Sequence, residues 1–265
     1  MVTLGSFIVA FVLAILFLAL QARGKHPMLP LGLFRDSNRS GSYVTMLFIG
    51  AGLMGTFYLL TLYLQQVLLF SPVATGMASL PFSVGIILGA GISSKLVERL
   101  APRAVAGPGL VVAAVGMSWL STLTMDASYA AHVMPALFLT SFGLGMSAVT
   151  MTLTAVHGVT EERAGVASAL VNMAQQIGAA LGLAVLTTIS LSAANGQLPE
   201  ASTLLQEGLM GNDTGVVARA GEALTYGYTT AFLVGAGMLL VAAVAVLAAV
   251  NTKRTQGAAA AGAGA

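Results

Sequence analysis

Seven long apolar runs, separated by short polar breaks, account for most of this chain. They fall near residues 2–22, 43–64, 75–96, 104–124, 133–156, 166–190 and 226–250. Each is long enough to cross ~30 Å of hydrocarbon at about 1.5 Å per residue. The runs are continuous and do not alternate over ten-residue segments, so helices are expected and a transmembrane barrel is not. A helix satisfies its own backbone where lipid offers no hydrogen-bond partner. The pattern therefore predicts an all-α membrane protein with seven transmembrane helices.

The polar residues inside the runs carry the candidate chemistry. Span six reads VNMAQQIGAALG from Val171 to Gly182, in a stretch with no charge between Gly165 and Ser190. Asn172, Gln175 and Gln176 are three and four apart, which places them on one helix face. A primary amide facing lipid costs several kcal/mol unless it finds a partner. The three amides therefore face protein or water, as interhelical hydrogen bonds or as the wall of a solvated path. On span two, Met54, Tyr58, Thr61 and Gln65 recur at four, three and four. A soft thioether, an aromatic ring and two hydrogen-bonding groups suit a cavity for apolar ligands. The plainer reading is anchoring at the membrane interface. Ser141 on span five sits in a similar arrangement. Gly85 and Gly89 on span three, and Gly178 and Gly182 on span six, form small-residue rows that let helices approach closely.

The breaks set topology. Ten of the eleven basic residues lie on one side, namely Arg23, Lys25, Arg35, Arg39, Lys95, Arg99, Arg103, Arg163, Lys253 and Arg254, and only Arg219 lies on the other. The positive-inside rule makes the basic side cytoplasmic, with Met1 outside and the C-terminus inside. Residues 191–225 are expected to form a long outer loop carrying a short surface helix, and residues 252–265 a low-complexity disordered tail. A weak repeat relates GMASLPFSVGIILGA from Gly76 to GVASALVNMAQQIGA from Gly165, with five identities at an offset of 89. That offset spans three helices, so the copies cross the membrane in opposite directions, as in the inverted repeats of secondary transporters. Spans two to four and five to seven form the two copies, and span one stands outside them.

Composition agrees. Charged residues make up 8% of the chain, hydrophobic ones 57%, and the mean hydropathy is +0.91. A soluble domain carries about 25% charge. The chain has no cysteine, which excludes disulfides, thiolate metal sites and cysteine nucleophiles. A net charge of +2 does not suggest a nucleic-acid partner. No span has an acidic or basic residue in its interior, where a proton carrier would be expected. His157, at the end of span five, is the nearest ionisable group. No helix carries paired carboxylates or a metal-binding signature, so an enzyme, a cofactor and a metal site are not expected.

The junction GAGISSKLVERLAPRAV, Gly89 to Val105, resembles the cytoplasmic loop motif of the major facilitator superfamily, with Glu98, Arg99 and Arg103 in its charged positions and Ala101 in place of the usual glycine. HPMLPLGLFRD, YLLTLYLQQVLLFSPVATGMASLP and ERAGVASALVNMAQQIGAALGLAVL, in that order, resemble the C-terminal half of its fourteen-helix drug/proton antiporter group. The resemblance implies a linker helix and loop over 1–42 and a six-helix C-terminal domain over 43–251. It implies that spans two and five line a central cavity and that spans three and six meet an N-terminal half carrying the coupling acids, which is missing from these residues. It further implies a proton-coupled exporter of a small lipophilic or cationic substrate, in the plasma membrane. A seven-helix receptor and an uptake carrier of the same superfamily are the alternatives.

Overall fold

A computed structural model of the chain describes residues 34–250 and, before them, Gly5, Val9, Val12, Leu13, Leu16 and Leu20, all six helical. The rest of span one and the tail after residue 250 lie outside the described residues. Helix α1, Ser37–Leu62, continues through one π-helical turn, Tyr63–Val67. Helices α2, Pro72–Ala78, and α3, Leu80–Val97, together make span three. Helix α4 is Pro102–Leu120, and a second π turn, Tyr129–Val133, leads into α5, Met134–Val156. Helices α6, Glu161–Gln197, α7, Ala201–Gly211, and α8, Thr214–Ala249, complete the chain. Among the described residues six helices are long and apolar enough to cross a membrane.

Start and stop signals explain the boundaries. Asp36 caps α1, its carboxylate accepting from the Arg39 amide at 3.0 Å, and Ser71 caps α2 ahead of Pro72. Pro81 breaks α2 from α3. Phe82 then donates to Ser79, and the Ala78 carbonyl accepts instead from the Tyr129 hydroxyl at 2.7 Å. Ala101 is extended, with φ −63° and ψ 141°, so the loop motif needs no glycine at that position.

After the first π turn the chain reverses at Leu69, with φ +54°, and the Phe70 amide reaches back to the Leu64 carbonyl at 2.9 Å. This seven-to-one bond closes the π turn around a left-handed residue, a position where helix C-termini normally use glycine. A leucine there costs about 1 kcal/mol in steric strain. Leu69 is 55% exposed, so its side chain returns little of that cost through packing. Leu69→Gly is expected to raise stability by up to about 1 kcal/mol, read by denaturant unfolding in detergent. An unchanged or lower stability would show that the leucine side chain holds the turn.

The largest departure from the sequence expectation is at 191–225. The expected short helix is present there as α7, but the residues on either side of it are helical too and not a long loop. Helix α6 continues to Gln197 and α8 begins at Thr214. Serine, asparagine and glutamine beyond Ser190 are polar, but none breaks a helix. The break comes only before Pro199, where Leu198 is extended at φ −146°. The α8 N-terminus is capped by Asp213, which accepts from the Gly215 and Val216 amides at 3.0 and 3.1 Å. Between them α7 folds back on α8, burying Leu205 and Gly208, with Gly208 against Val216 and Val217.

Two close crossings organise the bundle. At Gly178 of α6, a Cβ would strike the Leu47 carbonyl of α1, and at Gly50 of α1 it would strike the Gln175 carbonyl of α6. At Gly89 of α3, a Cβ would strike the Phe142 carbonyl of α5, and at Gly145 of α5 it would lie 2.5 Å from the Ile86 carbonyl of α3. The α3 and α6 participants, Gly89 with Gly178 and Ile86 with Gln175, are each 89 apart. Their partners on α5 and α1, Phe142 with Leu47 and Gly145 with Gly50, are each 95 apart. One crossing is therefore the image of the other, and the weak repeat in sequence is an inverted repeat in space.

The same contacts fill the small rows of spans three and six within this domain, because glycine rows pack most tightly against a neighbouring backbone. Tyr63, Met46, Ile49, Leu110, Met117, Leu144 and Phe232 lie fully buried between α1, α4, α5 and α8, with Thr56 donating to the Met117 sulfur at 3.9 Å.

Candidate functional site

Helix α1 buries Ile49, Leu59, Leu60 and Tyr63 and turns another face outward. The predicted stripe lies on that outer face. Met54 is 47% exposed and Tyr58 41%, and Thr61 and Gln65 are half-buried. The structure divides the stripe. Thr61 and Gln65 line a cleft of about 370 Å³ between α1 and α2–α3, with Phe57, Thr75, Gly76, Ser79 and Ser83. Met54 and Tyr58 do not line it. The π turn at Tyr63–Val67 sends its two glutamines to different neighbours: Gln65 to this cleft, and Gln66 to α8, where its carbonyl accepts from the Tyr228 hydroxyl at 2.7 Å.

Three of the four hydroxyls in the cleft already donate. Thr61 bonds the Phe57 carbonyl at 2.7 Å, Thr75 the Ser71 carbonyl at 3.0 Å and Ser79 the Thr75 carbonyl at 2.9 Å. No charged side chain lines the cleft. The sequence reading did not find this wall, although Thr75, Ser79 and Ser83 recur at intervals of four. That spacing puts them on one face of a helix.

Ser141 is elsewhere. It is fully buried at the α3–α5 crossing, where its hydroxyl donates to the Phe138 carbonyl at 3.0 Å and lies against Gly85. The expectation that it lines a cavity is corrected: Gly85 lets α3 come too close to leave space there.

The amides of α6 are not equivalent. Gln175 is half-buried where α6 crosses α1. Asn172 and Gln176 are exposed, one turn apart, beside Met173, Ile177 and Leu181. None of the three makes a side-chain hydrogen bond among the described residues. Helix α6 and the α2–α3 span are the least buried of the six. Only 33% and 28% of their most apolar windows are covered, against 44–61% elsewhere. Lipid suits Ile177 and Leu181 but does not suit two unpartnered amides.

All the described basic residues except Arg219 gather at one end of the bundle, with Arg39 donating to the His157 backbone carbonyl at 3.3 Å. Glu98, Arg99 and Arg103 of the loop motif are exposed at that end. No cluster of metal-ligating residues occurs among the described residues.

Comparison with known proteins gives these features a setting. A family model described as Major Facilitator Superfamily matches residues 1–183. The puromycin resistance protein of Streptomyces alboniger is 35% identical over 240 residues, which is 89% of this chain and 45% of that protein. The lincomycin resistance protein of Streptomyces lincolnensis is 32% identical over 188 residues, covering 71% of this chain and 39% of that protein. The tetracenomycin C resistance and export protein of Streptomyces glaucescens is 32% identical over 201 residues, covering 75% and 37%. The chain thus spans less than half the length of these relatives.

Proposed function

Because this chain belongs to the major facilitator superfamily, we propose that it is the C-terminal half of a secondary active exporter of drugs or antibiotics. Residues 43–251 form one six-helix domain of two inverted repeats, preceded by a linker helix and its loop over 1–42. Transport proceeds by alternating access: this domain rocks against an N-terminal half around a site near the midplane. Substrate passes along α1 and α5. The names of its relatives, resistance and export proteins, favour efflux over uptake. Nothing in them favours a receptor.

One observation carries the reading. Asn172 and Gln176 are exposed and unpartnered on one of the two least covered helices. In lipid they would cost several kcal/mol. Against a second domain, or a water-filled path between domains, they do not. Met54 and Tyr58 complete the same cavity from α1. No span interior here carries an acid, so on this reading the proton-carrying acids belong to the N-terminal half. The basic end faces the cytoplasm of the cell and the acidic end faces outside, across the plasma membrane.

The test is reconstitution. In liposomes with an imposed pH gradient, this chain alone is expected to accumulate no dye substrate, and co-reconstitution with a matching N-terminal half is expected to restore uptake. Gradient-driven accumulation by the chain alone would overturn the half-transporter reading.

A further inference from the structure

The cleft between α1 and α2–α3 has a chemical bias that its composition hides. Five polar groups line it: the hydroxyls of Thr61, Thr75, Ser79 and Ser83, and the Gln65 amide. A hydroxyl can donate once and accept twice. The protons of Thr61, Thr75 and Ser79 are held by backbone carbonyls at 2.7–3.0 Å. Toward a ligand their oxygens can act as acceptors only, Thr75 from a nearly buried position, and donating elsewhere polarises them into better acceptors. Ser83 and Gln65 make no hydrogen bond among the described residues, and each can turn either way. All five groups can therefore accept, only two can donate, and none is charged.

We propose that this cleft is a donor-reading subsite, which takes the N–H-bearing end of a primary or secondary ammonium group and rejects carboxylates. The site's role in selecting exported molecules rests on the exporter reading above; the binding chemistry does not. A primary ammonium presents three N–H donors, and the cleft offers more acceptors than that. A quaternary ammonium has the same charge and no N–H. A carboxylate finds only two groups that can donate, Ser83 and Gln65, and no cation, and burying it with so few partners is costly. Phe57, on the rim, offers its ring to the apolar part of such a molecule.

The chain has no cysteine, and a Cβ at Gly76, which lines the cleft, meets nothing within 4 Å. Gly76→Cys is therefore a reporter that does not disturb packing. The purified chain in detergent would be alkylated with N-ethylmaleimide in the presence of phenethylamine, phenethyltrimethylammonium or 3-phenylpropionate at neutral pH. Phenethylammonium is expected to slow labelling severalfold and the other two to leave it unchanged. Thr61→Val and Thr75→Val, which keep shape and remove the acceptor, should each weaken that protection severalfold. Equal protection by both cations would mean that the cleft reads charge or ring alone, and the proposal fails. It fails too if the carboxylate protects, if nothing protects, or if the thiol is not labelled at all. None of these outcomes depends on gradient-driven transport, so a failure here leaves the exporter reading to be judged by reconstitution.

Discussion

Gly178→Ala is expected to destabilise the domain by about 1–3 kcal/mol, and Gly89→Ala by a similar amount. Each new methyl would meet a backbone carbonyl, of Leu47 or of Phe142. A side chain can rotate away from such a contact, whereas a helix backbone has to move as a unit. Both crossings belong to the same pseudo-symmetric design, so the two losses should match. Gly91→Ala is the control, since a Cβ at Gly91 on α3 meets no atom within 4 Å. There alanine should be neutral or stabilising by up to about 1 kcal/mol, as helix propensity predicts. Denaturant unfolding of the three variants in detergent decides the matter. If Gly178→Ala is as stable as the parent, the α1–α6 approach is looser than described. If Gly89→Ala and Gly178→Ala differ widely, the two crossings are not equivalent.

The second large effect is expected on transport rather than on stability. On the exporter reading proposed above, replacing both Asn172 and Gln176 by leucine in the complete protein should lower export at least tenfold, about 1.4 kcal/mol if expressed as a barrier. Expression and unfolding midpoint should be unchanged, because both side chains are exposed and unpartnered in this domain. Gln175→Leu gives the contrast. It sits at the α1 crossing, so any effect it has should appear in stability. Wild-type export by the double variant would reduce the amides to tolerated surface residues. A loss of export together with a loss of folded protein would point to structure instead of path.

How far the sequence could be read depended on which constraint each feature obeys. The spans were legible because a bilayer imposes a minimum apolar length, which residues such as those of 226–250 meet without ambiguity. Their ends were not. Polarity past Ser190 marks the edge of the membrane, but it does not end a helix, and only the leucine before Pro199 does. The glycine rows were legible as faces. Their neighbours were not, because spacing along α3 or α6 says which side packs closely and is silent about what packs there. Ser141 fails for the same reason. The pairing of Gln66 with Tyr228 joins residues 162 apart, and no local pattern announces it. The hydroxyl wall was available in the spacing of Thr75, Ser79 and Ser83, but spacing along one span does not say that a cleft opens beside it.

The helical extension beyond the apolar spans has a mechanical consequence. Past residue 190, α6 runs on for roughly 10 Å, and α8 starts roughly 18 Å before residue 226, at 1.5 Å per residue. The two helices, tied together by α7, make a mast fixed to the domain through continuous backbone. A mast of this kind has no hinge between its tip and the crossings below, so it reports the tilt of the whole domain as a clock hand reports its spindle. Its tip travels farther than any atom near the pivot, and Met210 there is exposed, so a probe on it disturbs no packing. On the exporter reading proposed above, a pair of spin or fluorescent labels, one near Met210 and one on the N-terminal half, would follow each half-turn of the transport cycle as a change in distance.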